Sequence, residues 1–177
     1  MNPLPKSPVR ESRTLGSVGV GLPEKGSPST RSREKPKEII VGFFHQANMI
    51  GILLISHSRR LADGLGELIQ ALTNNTLMIC RIGGEETLGV DTGMVLQEFE
   101  ILKTKGCHAV LVFGDSGSAF MAAQTACDLW NDDIIDIRIV DAPFVEESVA
   151  AAMVLSTGGG VDQAMESAQE AYQIHKC

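Results

Sequence analysis

Ile50-Gly51-Ile52-Leu53-Leu54-Ile55 runs directly into Ser56-His57-Ser58. A nearly continuous apolar run with no polar alternation reads as a strand buried on both faces, the habit of parallel sheets covered by helices. Downstream, Leu61, Leu65, Leu68, Ile69 and Leu72 recur at spacings of three and four. This spacing predicts an amphipathic helix, ended by Asn74 and Asn75. The same alternation then repeats. A second strand is expected over 76–82, followed by a loop at Gly83-Gly84 and a helix burying Val95, Leu96, Phe99 and Leu102 until Gly106 stops it. A third strand is expected over 109–113, followed by a helix carrying Phe120, Ala123, Cys127 and Trp130 inward, and a fourth strand over 137–140. Beyond Pro143, two Ala-rich helices, about 145–156 and 161–174, flank Gly158-Gly159-Gly160. The class is α/β: a doubly wound, mostly parallel sheet of four or five strands flanked by helices, without internal repeats.

Composition sets the borders. Residues 1–38 hold eight Lys or Arg, four Glu and six Pro with almost no aromatic or clustered aliphatic side chains. Such a segment cannot bury enough apolar surface to offset the entropy of ordering. Residues 1–48 are therefore expected to form a disordered basic extension ahead of a natural start at Met49, with one domain over 49–177. In that domain seven basic residues face eighteen acidic ones, a net charge of −11. Such a surface repels nucleic acid and anionic membranes and favours protein partners presenting Lys or Arg. The apolar run 39–44 is too short to span a bilayer. Cys80, Cys107, Cys127 and Cys177 lack metal-site or disulfide-scaffold spacing and read as reduced, mostly buried thiols of a cytoplasmic protein.

In open parallel sheets, reactive groups gather beyond the carboxyl ends of strands where neighbouring crossovers diverge. Two loops qualify: Ser56-His57-Ser58 after strand one, and Gly114-Asp115-Ser116-Gly117-Ser118 after strand three. In the strand order 2-1-3-4 they face each other across a crevice. Neutral imidazole has one lone-pair nitrogen that can attack phosphorus. Its other nitrogen must keep its proton, and a carboxylate accepting from that N–H fixes the tautomer and stabilises the charge developing on the ring. His57 is thus the candidate nucleophile and Asp115 the group that orients it. A transferred phosphoryl group is held mainly by well-placed donors. Ser116, Gly117 and Ser118 at one helix start, and Ser58 at the other, are the candidate phosphoryl-binding residues.

Plainer readings compete. A His between two Ser residues can be a turn residue, and Asp or Ser before a helix is the ordinary N-cap. His45, His108 and His175 have no matching partner in sequence. A receiver-type phosphoacceptor needs acidic residues after strand one, where Ser-His-Ser stands. A flavin site needs a longer phosphate loop there, and no dinucleotide fingerprint is present.

Three blocks carry a resemblance: Ile-Leu-Leu-Ile-Ser-His-Ser (52–58) with Leu61-Ala62-Asp63-Gly64, Gly-Asp-Ser-Gly-Ser-Ala (114–119), and Ala-Pro-Phe-Val-Glu-Glu (142–147). In this order, the region from Met49 to about Ala171 resembles the phosphotransfer subunit of phosphoenolpyruvate-dependent dihydroxyacetone kinase, a relative of the mannose-type enzyme IIA domains of the phosphotransferase system. The resemblance implies a flavodoxin-like fold that commonly forms homodimers. It also implies a phosphohistidine carrier whose histidine, here His57, accepts phosphate from HPr and passes it to ADP bound on the nucleotide-binding subunit of the kinase. The phosphoryl group rides covalently on His57, so no bound cofactor or metal is expected. The chain carries none of the HPr and enzyme I-like domains fused in some relatives, so separate donor proteins are expected. Ser116 stands where the family usually has an apolar residue, and Gly-Ser-Ala replaces the Gly-Gly-Ser-Pro of the sugar branch. The alternatives are a mannose-type component serving a sugar transporter, and a non-catalytic dimeric regulatory module.

Overall fold

The computed structural model describes residues 49–86 and 88–173. The expectations for the extension 1–48, and those for His45, His175 and Cys177, lie outside these residues.

Four strands form one sheet: β1 (Met49–Ser56), β2 (Met78–Gly83), β3 (Cys107–Gly114) and β4 (Asp136–Val140). All pairings are parallel, in the order β2-β1-β3-β4, so the expected crevice between β1 and β3 exists. Helices α1 (Arg59–Leu72), α2 (Thr92–Thr104), α3 (Gly117–Leu129), α4 (Phe144–Ser156) and α5 (Val161–Glu170) cover it, and a 3-10 turn follows over Ala171–Gln173. The strands each begin or end one or two residues away from the sequence expectation, and α5 is shorter, ending at Glu170.

Because side chains alternate along a strand, β1 and β3 feed two separate cores. Leu53, Ile55, Val110 and Val112 pack beneath α2 and α3. Ile52, Leu54, Leu111 and Phe113 pack beneath α1, α4 and α5. The crossover leaving β1 therefore lies on one face and the crossover leaving β3 on the other. Their divergence opens the crevice at the carboxyl ends of these two strands.

Helix borders follow local chemistry. Asn74 and Asn75 take left-handed φ values of 52° and 56°, a conformation Asn tolerates better than most residues, and so they end α1 as expected. Asp91 caps α2 by accepting from the Met94 N–H at 2.9 Å.

Two helix faces differ from the periodicity reading. In α1, Leu65 and Ile69 are buried with Ala62 and Gly66, but Leu61, Leu68 and Leu72 remain exposed. The helix presents its small residues to the sheet side, where a Cβ on Gly66 would strike the Arg81 side chain. In α3 the buried stripe is Ala119, Ala122, Ala123 and Ala126. Phe120 and Cys127 are only half-buried, and Trp130 ends the helix and packs edge-on against Phe99 with centroids 5.6 Å apart. An alanine seam lets α3 lie close to its neighbours, and the bulky residues fill the flanks. Of the described cysteines, Cys107 is buried while Cys80 and Cys127 are half-buried, and all three are free.

Candidate active site

The last residue of β1, Ser56, is completely buried although polar. Its hydroxyl donates to Asp115 Oδ2 at 2.7 Å and accepts from the Ser58 N–H at 3.1 Å. The His57 N–H also donates to Asp115 Oδ2, at 2.8 Å. Backbone bonds extend the clamp: the Asp115 N–H donates to Ile55 O, the Arg59 N–H to Gly84 O, and the Gly89 N–H to His57 O, at 3.0–3.1 Å. The β1–α1 turn thus has little room to move. Gly83 tightens it further, since a Cβ there would lie 2.6 Å from the Arg59 nitrogen.

In this frame the imidazole of His57 is 34% exposed, with Nδ1 2.9 Å from Asp115 Oδ1. An ionised carboxylate only accepts, so Nδ1 carries the proton and donates it to Asp115. Burial works to raise the carboxyl pKa of Asp115, but the hydrogen bonds from the His57 ring, the Ser56 hydroxyl and the His57 N–H outweigh it and hold the pKa below the usual carboxylate range. The remaining ring nitrogen, Nε2, keeps its lone pair and accepts from the Ser118 hydroxyl at 2.6 Å. Ser116 Oγ lies beside the ring edge, 3.0 Å from Nδ1 and 3.5 Å from Nε2.

The sequence candidates are therefore brought together unevenly. His57, Asp115, Ser116 and Ser118 meet directly. Ser116 is the N-cap of α3 but makes no side-chain cap bond, because its hydroxyl turns to the imidazole instead. Gly117 and Ser118 occupy the first turn of α3, where backbone N–H groups have no helical acceptor and the dipole favours anions. Ser58, the N-cap of α1, also lacks a side-chain cap bond. Its N–H is committed to the Ser56 hydroxyl, so of the hydroxyl and N–H expected as donors from sequence the N–H is not free. Ser56 received no role in the sequence reading; a lone polar residue closing an otherwise apolar buried strand was the available signal. His108 lies at the opposite end of the sheet, where it lines a cavity of about 670 Å³ with Met49, Leu77 and Gly159. Among the described residues no cluster of three or more His, Cys, Asp or Glu could ligate a metal ion, and no helix is long and apolar enough to cross a membrane.

The EIIA-man family model, described as the PTS system fructose IIA component, matches residues 51–165. The chain belongs to the EIIA-man family. The matched span of this EIIA-man chain contains both crevice turns. Among curated relatives, the phosphoryl donor subunit DhaM of PEP-dependent dihydroxyacetone kinase from Providencia stuartii is 35% identical over 131 residues, covering 71% of this chain and 27% of the relative. The corresponding subunit of kinase 2 from Listeria innocua is 32% identical over 106 residues, covering 59% of this chain and 85% of the relative. The chain thus spans about a quarter of the length of the first of these relatives. Among solved structures, a protein of unknown function, EF1359, superposes with a TM-score of 0.62 at 29% identity, covering 69% of this chain and 94% of that one. A phosphotransferase system component EIIA from Streptococcus agalactiae shares the fold, with a TM-score of 0.55 at 15% identity over 71% of this chain and 93% of its own.

Proposed function

We propose that this chain is a phosphohistidine carrier in phosphoenolpyruvate-dependent dihydroxyacetone phosphorylation, with His57 Nε2 as the phosphoryl acceptor. HPr is the donor, and ADP on the nucleotide-binding subunit of the kinase is the acceptor. The observation that carries the reading is the 2.9 Å contact between His57 Nδ1 and Asp115 Oδ1, which leaves the lone pair on Nε2 at the crevice mouth. That lone pair attacks the phosphorus of the donor phosphohistidine in line; the N–P bond to the donor breaks and its electron pair returns to the donor ring. Nδ1 retains its proton throughout, and Asp115 balances the positive charge on the ring. The Ser118 hydroxyl turns from Nε2 to a phosphoryl oxygen, joined by Ser116 Oγ and the first-turn N–H groups of α3, including that of Gly117. In the second half-reaction the phosphoryl group moves to the β-phosphate oxygen of ADP.

The names of the relatives favour the dihydroxyacetone acceptor, and the description of the family model favours a sugar transporter. Mixing the phosphorylated chain with the ADP-loaded kinase subunit separates the two. ATP formation supports the first reading and its absence supports the second. Acid-labile phosphate appearing on the chain after incubation with phosphoenolpyruvate, enzyme I and HPr, and absent from His57→Ala, is expected in both. Its absence from the wild type would leave the non-catalytic module. We place the carrier in the cytoplasm as a homodimer; the exposed leucine stripe of α1 is consistent with a second copy covering it.

A further inference from the structure

Large apolar side chains scattered singly over a surface need no explanation, but a concentration at one place does. Among the exposed large apolar side chains of the described residues, the two most exposed are Leu88, at 80%, and Met121, at 72%. Both belong to segments that hold His57. Leu88 precedes Gly89, whose N–H donates to the His57 carbonyl at 3.1 Å. Met121 stands one helical turn beyond Ser118, whose hydroxyl lies 2.6 Å from His57 Nε2, and so it shares that face of α3. The strand order β2-β1-β3 places the Leu88 loop on one side of His57 and α3 on the other. The segments on the two sides of His57 thus each carry an exposed large apolar side chain that contributes nothing to the core.

In-line transfer between two histidines requires both ring nitrogens within bonding reach of one phosphorus atom, so the donor must sit directly over His57 and cover its flanks. We infer that Leu88 and Met121 are the apolar anchors on which the phosphoryl-donor protein docks. This rests on the phosphocarrier reading above. The donor surface that fits carries its phosphohistidine between apolar hollows. Charge refines the match. Arg59 is neutralised from within, its guanidinium lying 3.0 Å from Asp63 and 3.8 Å from Glu85. Glu86 and Asp91, in the same loop as Leu88, are exposed. A rim of Lys or Arg on the donor complements that loop, and a free polyanion such as a nucleotide is repelled by it. The anchors stand exposed on the surface, which suits a protein partner rather than a small molecule.

The test uses the full chain and two donors: phospho-HPr, which must dock, and phosphoramidate, a small molecule that need not. Leu88→Gln and Met121→Gln, both at exposed positions and adding no charge, are expected to raise the KM for phospho-HPr at least tenfold while changing the phosphoramidate rate less than twofold. An unchanged KM in both variants overturns the inference. So does an equal loss with both donors, which indicates a disturbed site, or a defect confined to the ADP-dependent step, which assigns the patch to the acceptor. Failure of wild-type His57 to take phosphate from either donor would instead remove the phosphocarrier reading itself.

Discussion

The two turns that meet at the crevice are built on opposite plans. The β1–α1 turn, which carries His57, is closed in by backbone hydrogen bonds to both neighbouring strand ends and by a glycine packed against its own backbone. The β3–α3 turn, beyond its one anchored aspartate, is open: Gly117 and Ser118 are exposed, and a Cβ on Gly117 would meet nothing within 4 Å. The candidate nucleophile is fixed in orientation, and the candidate donors beside it are free to adjust. A carrier of the kind proposed, facing a donor and an acceptor, would need both properties, since its reacting atom must be pre-aimed while its surroundings accommodate two transition states.

The most severe way to break this contrast is His57→Ala, which is expected to abolish acid-labile phosphorylation, since among the described residues no other imidazole lies at the crevice. Asp115→Asn comes next. In one amide orientation an NH2 group meets the Ser56 hydroxyl and the His57 N–H, both of which need an acceptor; in the other it faces Nδ1 and favours the wrong tautomer. A loss on the order of 10²–10⁴-fold in the transfer rate is expected by rapid-quench measurement, and retention of wild-type rates would show that Asp115 does not orient the ring.

The paired glycine variants sharpen the contrast. Gly83→Ala drives a Cβ into the backbone of Ser58 and Arg59, 2.6–2.7 Å away. It should cost about 1–3 kcal/mol in stability and slow phosphorylation roughly tenfold. Gly117→Ala should be tolerated in the fold and gain about 0.4–1 kcal/mol by restricting the unfolded chain. A large activity loss at Gly117 with intact folding would mean that close phosphoryl approach requires the glycine.

The smallest expected effect lies outside both turns, in α4. Glu147 of α4 is completely buried and neither carboxyl oxygen has a hydrogen-bond partner. Burial, followed by the charges of Asp141 and Glu146, pushes its pKa from 4.5 up to about 8. Because the folded pKa is raised, the stability associated with the neutral form is fully present below about pH 4.5 and is lost as pH rises through about 8. Thermal denaturation should show Glu147→Gln gaining on the wild type between pH 6 and pH 9; a pH-independent difference would contradict this.

Much of this was legible in the residues. Alternating apolar runs and helical stripes specify a parallel sheet covered by helices, because a continuous apolar strand such as 50–55 is buried on both faces there; the order 2-1-3-4 is the common arrangement of such sheets rather than something periodicity encodes. His57 and Asp115 could be paired because topology alone brings the ends of β1 and β3 together. Periodicity could not reveal which side of α1 or α3 is buried, since small residues such as Ala62, Gly66 and Ala122 decide that through close approach, and hydropathy weighs them lightly. Ser56 and the diversion of Ser116 from capping to the imidazole depend on contacts between segments 59 residues apart, which no local pattern encodes.

The central claim is that Asp115 holds the proton on Nδ1 and leaves Nε2 to bond phosphorus. Long-range ¹H–¹⁵N correlation spectra of the ¹⁵N-histidine-labelled, phosphorylated chain test it directly. The account predicts phosphorus coupling at His57 Nε2 with Nδ1 still protonated. Phosphorus on Nδ1, or on any other histidine, would contradict it.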